Sequence, residues 1–360
     1  MPTTDNLLIK KIISSAAERK ASDIHLTVGN YPFVRINGQL SALTEIEILK
    51  PENLEAMVDF LLSENQKAKF EKDKEVTFIR NDDETSLRFR INIFYQKGYP
   101  MISFRIISQT IPEFSSLGLP EVVAGFSEFN RGLVIISGPF SSGRSTTLAS
   151  LLQLINQKRG EHIITLEKPI EHLFVNEKSI IEQREIGKDV DSFEKALKTI
   201  LDEDINIVAI TGLLSPEAIE SALELAESGR LVFLLMNSDS VVSVLDKIIA
   251  GFEGAKKNWA LGTLSDVLVG ILVQRLIPKQ TEGLALAFEI LTLTPAVKSL
   301  LKEGKFHQLS SIMQTSRAEG MVNMDKNLFE LVKENVITKE TAIRESLDKE
   351  SFKNLIRDLP

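Results

Sequence analysis

The chain has 360 residues, which is enough for about two domains at the usual ~150 residues each. Its 43% hydrophobic and 26% charged residues are typical of a folded globular protein rather than a disordered one. The sequence contains no cysteine, which excludes disulfides, thiolate metal sites and cysteine nucleophiles. The longest apolar runs are far shorter than the ~20 residues of a membrane-spanning helix, so we expect a cytoplasmic protein without membrane insertion.

The charge distribution bears on the class of partner. The chain carries 42 basic and 50 acidic residues, a formal net charge of −8. Basic and acidic residues balance over positions 1–110, so the acidic excess lies in the remainder of the chain. A protein that binds nucleic acid neutralises phosphates with a broad basic face, which this sequence lacks. We therefore expect no nucleic-acid partner.

The first 110 residues predict a small α+β domain with an antiparallel sheet. Helices are predicted at 5–20 and 51–70, a strand at 23–28 and a hairpin around Asn37 and Gly38. Asn-Gly tolerates positive φ at both turn positions, which favours a type I′ turn.

Alternation with period two predicts further strands over residues 75–107. Arg88, Arg90 and Asn92 alternate with apolar residues there, so these polar side chains are expected on one face of the sheet. Two prolines and a glycine interrupt both periodicities after residue 110 and predict a linker over 111–122. The expected domains are therefore 1–110 and 123–360.

The second domain shows alternating strands and helices, the pattern of an α/β fold with a mainly parallel sheet. Strands are predicted at 132–137, 162–167, 206–211 and 230–236, with helices at 144–157, 192–203 and 216–228. Beyond Ser240 the sequence predicts mostly helix.

A glycine-containing segment between the first strand and the first helix of this domain is the candidate binding site. It has the spacing of a phosphate-binding loop, GxxxxGK[ST], with arginine at the lysine position. Backbone N–H groups of such a loop, together with the helix N-terminus, form a cavity for anionic oxygens. The candidate nucleotide-binding residues are Gly138, Pro139, Phe140, Ser141, Ser142, Gly143, Arg144, Ser145 and Thr146. Ser145 is placed to ligate Mg²⁺ when nucleotide is bound.

Two features of the loop leave open whether it binds nucleotide. Arginine is longer than lysine and planar, so Arg144 does not simply replace the usual ammonium group. Phe140 and Ser141 stand where such loops prefer glycine or small residues. The loop therefore either binds nucleotide or keeps its shape as a scaffold only.

Short segments in the same order as in one known family extend over nearly the whole chain. They are SDIHL at 22–26, FVRING at 33–38, FRIN at 89–92, FRI at 104–106, RGLV at 131–134, GRSTTLA at 143–149, IITLEKPIE at 163–171, QRL at 274–276 and TPAVKSLL at 294–301. Through them the chain resembles the PilT-type pilus retraction ATPases of the type II/IV secretion ATPase superfamily.

The resemblance implies a fold, an assembly and a ligand. The fold is a PAS-like N-terminal domain followed by a RecA-like P-loop domain with a helical C-terminal part. The assembly is a homo-hexamer or a mixed ring with an active paralogue, peripheral at the inner membrane beside a pilus platform protein. The ligand is ATP or ADP with Mg²⁺. Arginines of the N-terminal domain contribute charge at the phosphates in this family, and Arg90 and Arg105 match their positions.

The catalytic positions of the family are altered in this chain. Gly212 stands where the family carries the Walker B glutamate that orients the attacking water. Both histidines of the family's histidine box are absent from residues 228–238. In the acidic box Lys168 replaces an aspartate, whereas Glu167 and Glu171 persist.

Three functions remain open from the sequence. The first is a catalytically degenerate PilT-like subunit with a structural or regulatory role in a type IV pilus motor for twitching motility. The second is a slow ATPase in which Arg144 supplies the cation at the phosphates and Glu167, the candidate catalytic residue, orients water. The third is an interaction module that works without nucleotide.

Overall fold

The computed structural model describes residues 4–82, 85, 87–107, 110–212 and 215–357. The chain divides into two compact units, Met1–Thr110 and Ile111–Pro360. Within the described ranges, every helix is too short or too polar to cross a lipid bilayer.

The first unit is an antiparallel sheet packed against helices. Its described elements are α1 (Thr4–Glu18), β1 (Asp23–Leu26), β2 (Phe33–Ile36), β3 (Gln39–Ala42), α2 (Pro51–Leu61), α3 (Glu64–Asp73), β4 (Glu75–Asp82), β5 (Leu87–Gln96) and β6 (Tyr99–Ile107). The strands pair antiparallel in the order β3-β2-β1-β6-β5-β4. One buried cluster of apolar side chains from the helices and the sheet forms the core, with Ile12, Leu54 and Phe104 among its members.

Two local predictions for this unit have different outcomes. Asn37 and Gly38 have φ of 48° and 83°, which confirms the type I′ hairpin turn. The single helix predicted over 51–70 is wrong, because the chain forms α2 and α3 with a break between them. The break occurs at Ser63, whose backbone N–H donates to Gln66 Oε1 over 2.9 Å in a capping box that starts a new helix.

The second unit is built on a seven-stranded sheet. Its described strands are β7 (Gly132–Ser137), β8 (His162–Glu167), β9 (Ile180–Glu185), β10 (Ile207–Ile210), β11 (Leu231–Leu235), β12 (Leu268–Pro278) and β13 (Leu284–Thr292). The described helices are α4 (Glu121–Gly125), α5 (Arg144–Lys158), α6 (Phe193–Ile200), α7 (Pro216–Glu227), α8 (Val241–Ala250), α9 (Gly254–Val267), α10 (Pro295–Lys302), α11 (Leu309–Thr315), α12 (Met324–Lys333), α13 (Lys339–Glu345) and α14 (Lys349–Leu355).

The strand order of this sheet is β13-β12-β7-β11-β10-β8-β9, and the pairs are parallel except for β12 with β13. The central strands β7, β10 and β11 are buried along their whole length, as their unbroken apolar sequences require. Separate apolar clusters form the cores around the sheet. The predicted fold class, an α+β N-terminal domain and an α/β domain with a mainly parallel sheet, is confirmed.

Three strands of the second unit are not predicted from the sequence. The run over 268–273 is uniformly apolar because β12 lies between β7 and β13, and uniform burial gives no periodicity that separates a strand from a helix. The expectation of mostly helix beyond Ser240 therefore needs correction for the β12–β13 hairpin. The third missed strand, β9, is a partly exposed edge strand with a largely polar sequence.

The segment 111–122, expected as a linker, contains ordered structure. A 3-10 turn covers Phe114–Leu117, and α4 begins at Glu121. Phe114, Leu119 and Val122 pack against a core cluster of the second unit.

Candidate functional site

The phosphate-binding loop lies between β7 and α5, which begin and end within a residue of the positions predicted from the sequence. Gly138 has φ of 151°, and a Cβ added there would lie 2.2 Å from the carbonyl oxygen of Gln274 and 2.5 Å from Ser142 Oγ. Gly143, the N-cap of α5, has φ of 85°. Only glycine fits the first position, and the second favours glycine for its left-handed backbone. The side chain of Phe140 is 70% exposed.

Several features of the loop fit an anionic ligand. The side chain of Ser142 is buried, yet its hydroxyl has no hydrogen-bond partner among the described residues. Helix α5 is 15 residues long and has no side-chain cap at its N-terminus, so its first N–H groups and helix dipole are available to a negative charge. Buried hydroxyl groups are normally paired. A phosphate oxygen is the type of group that would satisfy both the hydroxyl and the helix terminus. Ser145 and Thr146 lie in the first turn of this helix.

Arg144, at the position of the usual lysine, extends toward the next strand of the sheet. Its Nη1 donates a hydrogen bond to the main-chain oxygen of Met236, directly after β11. The side chain is half-buried, and this burial lowers the pKa of Arg144 while the charge of Glu171 raises it. Within the described part of the chain, Nε and Nη2 make no hydrogen bond. The guanidinium is therefore held at one nitrogen and offers its remaining donors to another group.

Glu167 ends β8 and is almost fully buried. Its Oε1 accepts hydrogen bonds from Thr165 Oγ1 over 2.8 Å and from Gln183 Nε2 over 3.0 Å. Burial raises the pKa of Glu167 to about 7, and the charge of Glu171 adds to the effect. The same Glu171 acts on Arg144, so the loop and the acidic box lie within electrostatic reach of each other.

Gly212 follows β10 in a conformation that disfavours a side chain. Its φ is 143°, and an added Cβ would lie 2.9 Å from Cζ of Phe193 and 3.7 Å from Cβ of Lys168. Phe193 is the first residue of α6 and is buried, so its ring cannot readily move away. Leu213 and Leu214, which belong to the same aligned segment, lie outside the described residues.

Arg90 and Arg105 lie in the first unit, on β5 and β6. They stand directly opposite each other in the antiparallel ladder and are half-buried. Arg105 Nε donates to Asp23 Oδ1 over 3.1 Å. Arg88 and Asn92 alternate with buried Phe89 and its apolar neighbours, as the period-two pattern predicts, although Arg88 is itself only 8% exposed.

Sequence reasoning assigns no role to Gln274, which contacts the loop from β12. Its buried amide bonds to the main chain of Ser142 and to the side chain of Thr147. The sequence feature that could have identified Gln274 is the match of QRL at 274–276 to the family pattern. A motif match alone does not show which side of a strand a residue faces.

The raised pKa of Glu167 predicts a pH-dependent stability. The carboxyl group loses its proton near pH 7 in the folded chain and near 4.5 when unfolded, so the folded state binds more protons between these values. Wild type is therefore expected to lose stability as the pH rises from about 4.5 to 7. Glu167→Gln removes the titration and retains an oxygen that accepts from Thr165 and Gln183.

We expect Glu167→Gln to be more stable than wild type above pH 7, by on the order of 3 kcal/mol, and equally stable near pH 4.5. Urea unfolding of both proteins across this pH range measures the difference. Glu289, whose pKa burial also raises to about 7, is present in both proteins and its effect cancels. A difference that does not change with pH would contradict the assignment.

The comparisons with known proteins agree with this architecture. A family model described as type II/IV secretion system protein matches residues 4–357. The type IV pilus retraction ATPase PilT of Pseudomonas aeruginosa is 33% identical over 344 residues, covering 96% of this chain and 99% of that protein. A twitching motility protein of Neisseria gonorrhoeae is 32% identical, covering 92% of this chain and 90% of that protein.

Among solved structures, the crystal structure of the pilus retraction motor PilT with bound ADP matches with a TM-score of 0.83 at 37% identity, covering 96% of this chain and 99% of that chain. The family model and the PilT relative each extend over almost the whole sequence. The chain therefore belongs to the type II/IV secretion system protein family, among its PilT-type pilus retraction ATPases.

Proposed function

We propose that this chain is a subunit of a type IV pilus motor that binds ADP or ATP with Mg²⁺ and does not hydrolyse it efficiently. Its role is then structural or regulatory. It acts in a hexameric ring, made of its own copies or shared with an active paralogue, on the cytoplasmic side of the inner membrane beside the pilus platform protein. The chain is 33% identical to PilT and 32% identical to a twitching motility protein over most of its length, which supports a role in a pilus motor.

The loop supports nucleotide binding. The main-chain N–H groups of residues 140–146 and the Ser142 hydroxyl would hold the phosphates, with the Ser145 hydroxyl toward Mg²⁺. Bound Mg²⁺ neutralises phosphate charge when present. The related PilT structure that contains ADP supports the choice of a nucleotide as the anion.

The observation that carries the loss of hydrolysis is the contact between Gly212 and Phe193. Hydrolysis of a phosphoanhydride needs a side chain that positions the attacking water. At residue 212 the φ of 143° strains any side chain, and an added Cβ would lie 2.9 Å from the buried Phe193 ring, so the site disfavours such a group. Lys168 beside it also brings a positive charge where the family has an acidic group. Each missing part of such a site typically costs orders of magnitude in rate.

A second function, a slow ATPase, is favoured by one observation. Glu167 has its pKa raised to about 7, the range that suits a general base. Its Oε1, however, already accepts from Thr165 and Gln183, which ties the carboxyl group into the sheet. The two functions differ in whether bound ATP is cleaved.

Gly138→Ala tests nucleotide binding. The added methyl group would lie 2.2 Å from the Gln274 carbonyl oxygen, so the loop must open, and we expect the affinity for ADP with Mg²⁺ to fall at least tenfold. Gly160→Ala is the matched control, because its added Cβ meets nothing closer than 3.7 Å and its affinity should equal that of wild type. Isothermal titration calorimetry measures all three proteins. Failure of wild type to bind ADP with Mg²⁺ would favour the interaction module that works without nucleotide.

Substitutions at Gly212 and Phe193 test the steric contact. Gly212→Ala is expected to destabilise the chain through both backbone strain and the collision with the ring. Phe193→Leu removes Cζ and Cε2, so Gly212→Ala should cost about 1 kcal/mol less in that background. Urea unfolding of the wild type, the two single variants and the double variant gives this coupling energy. Additive effects would show that the ring does not occupy the space beside residue 212.

A further inference from the structure

The nucleotide-binding loop is held by a residue far away in the sequence. Gln274 lies on β12, 132 positions beyond Ser142, and its side chain is only 1% exposed. Strand β12 runs parallel to β7, and their pairing ends with Val273 opposite Ser137. Gln274 is therefore the first residue of β12 beyond the end of β7, beside the loop that continues from it.

Both ends of the Gln274 amide are used. Nε2 donates to the carbonyl oxygen of Ser142 over 2.7 Å, and Oε1 accepts from the Thr147 hydroxyl over 2.9 Å. One side chain thus joins the end of the loop to the first turn of α5. Because the group is buried, loss of either bond leaves an unpaired polar atom without water to replace it.

The same residue explains the two glycines of the loop. A Cβ at Gly138 would collide with the main-chain oxygen of Gln274, and a Cβ at Gly143 would lie 3.2 Å from its Nε2. The backbone of the loop therefore packs directly on the main chain and the side chain of Gln274. The neighbouring Arg275 bonds elsewhere, to the main-chain oxygens of Asp239 and Glu345, so the loop contact belongs to Gln274.

We propose that Gln274 is the positioning residue of the nucleotide-binding loop. It holds Ser142 and the start of α5 so that the buried Ser142 hydroxyl and the helix N–H groups converge on one anion. Gln274 does not touch the nucleotide, and its contribution to affinity is that the loop is already ordered before binding. This inference rests on the proposed nucleotide binding for its affinity effect, whereas the ordering of the loop is a property of the free protein.

The chemistry of the amide makes the proposal specific. Gln274→Met keeps the length of the side chain and removes both the donor and the acceptor. Gln274→Glu keeps an acceptor for Thr147 but cannot donate to Ser142, and it places a negative charge beside an anion site. Thr147→Ser retains the hydroxyl, whereas Thr147→Val removes it.

Calorimetric titration with ADP and Mg²⁺ compares these variants. We expect about a tenfold loss of affinity for Gln274→Met, corresponding to one or two buried hydrogen bonds, and at least as large a loss for Gln274→Glu. Thr147→Ser should bind as wild type does, and Thr147→Val should bind more weakly. Gln280→Met is the control, because Gln280 Nε2 also donates to a main-chain oxygen, that of Ile337, over 3.0 Å but away from the loop.

Amide hydrogen exchange of the free proteins tests the ordering itself. The Thr147 N–H donates to the Gly143 oxygen over 3.0 Å in the first turn of α5, so its exchange reports opening of the loop. We expect about tenfold faster exchange there in Gln274→Met, with unchanged exchange in β10 and β11. The proposal would be overturned if Thr147 exchanged at the same rate in Gln274→Met as in wild type. It would also be overturned if wild type binds ADP and Gln274→Met binds it equally well. Absence of ADP binding by wild type would instead reject the proposed function, and the exchange result would still decide the role of Gln274.

Discussion

The close approach of β12 to the turn between β7 and α5 is the constraint on which the site depends. The chain can make this turn only with glycine at 138, since a Cβ there would overlap the carbonyl oxygen of Gln274 at 2.2 Å. Among the described residues, no side chain caps the N-terminus of α5 after this turn, and none bonds to the buried Ser142 hydroxyl. Packing at the ends of β7 and β12 thus leaves a buried hydroxyl and a helix N-terminus that an anion would satisfy.

In the function that we propose, the second unit keeps the parts of the site that bind nucleotide and lacks those that act on water. The loop, the N-terminus of α5 and the buried serine are main-chain or small-residue features. They do not depend on the side chains at the positions that would act on water. A Cβ added at Gly212 would lie 2.9 Å from the ring of Phe193, which supports the proposed loss of hydrolysis. Arg144 donates to the main-chain oxygen of Met236 after the neighbouring strand, so one nitrogen of its guanidinium is bonded there. Glu167 is likewise bonded inside the sheet.

Much of this architecture is predictable from the sequence, where local chemistry decides the structure. The Asn37-Gly38 turn, the buried strand β7 and the start of α5 follow from turn propensity, apolar runs and the glycine spacing. The β12–β13 hairpin and the contacts of Gln274 are not predictable in this way. They depend on which strands become neighbours, a long-range property that neither propensity nor periodicity records. The same holds for the packing of Phe193 on Gly212.

The central claim is that the chain holds nucleotide without cleaving it. The direct test is a single-turnover experiment in which purified wild-type chain in excess is mixed with γ-labelled ATP and Mg²⁺, beside Arg144→Ala to reveal contaminating enzymes. We expect wild type to bind the ATP, which is recovered intact, with no release of phosphate above that of the variant. Phosphate release by wild type that Arg144→Ala abolishes would contradict it and would show a working ATPase.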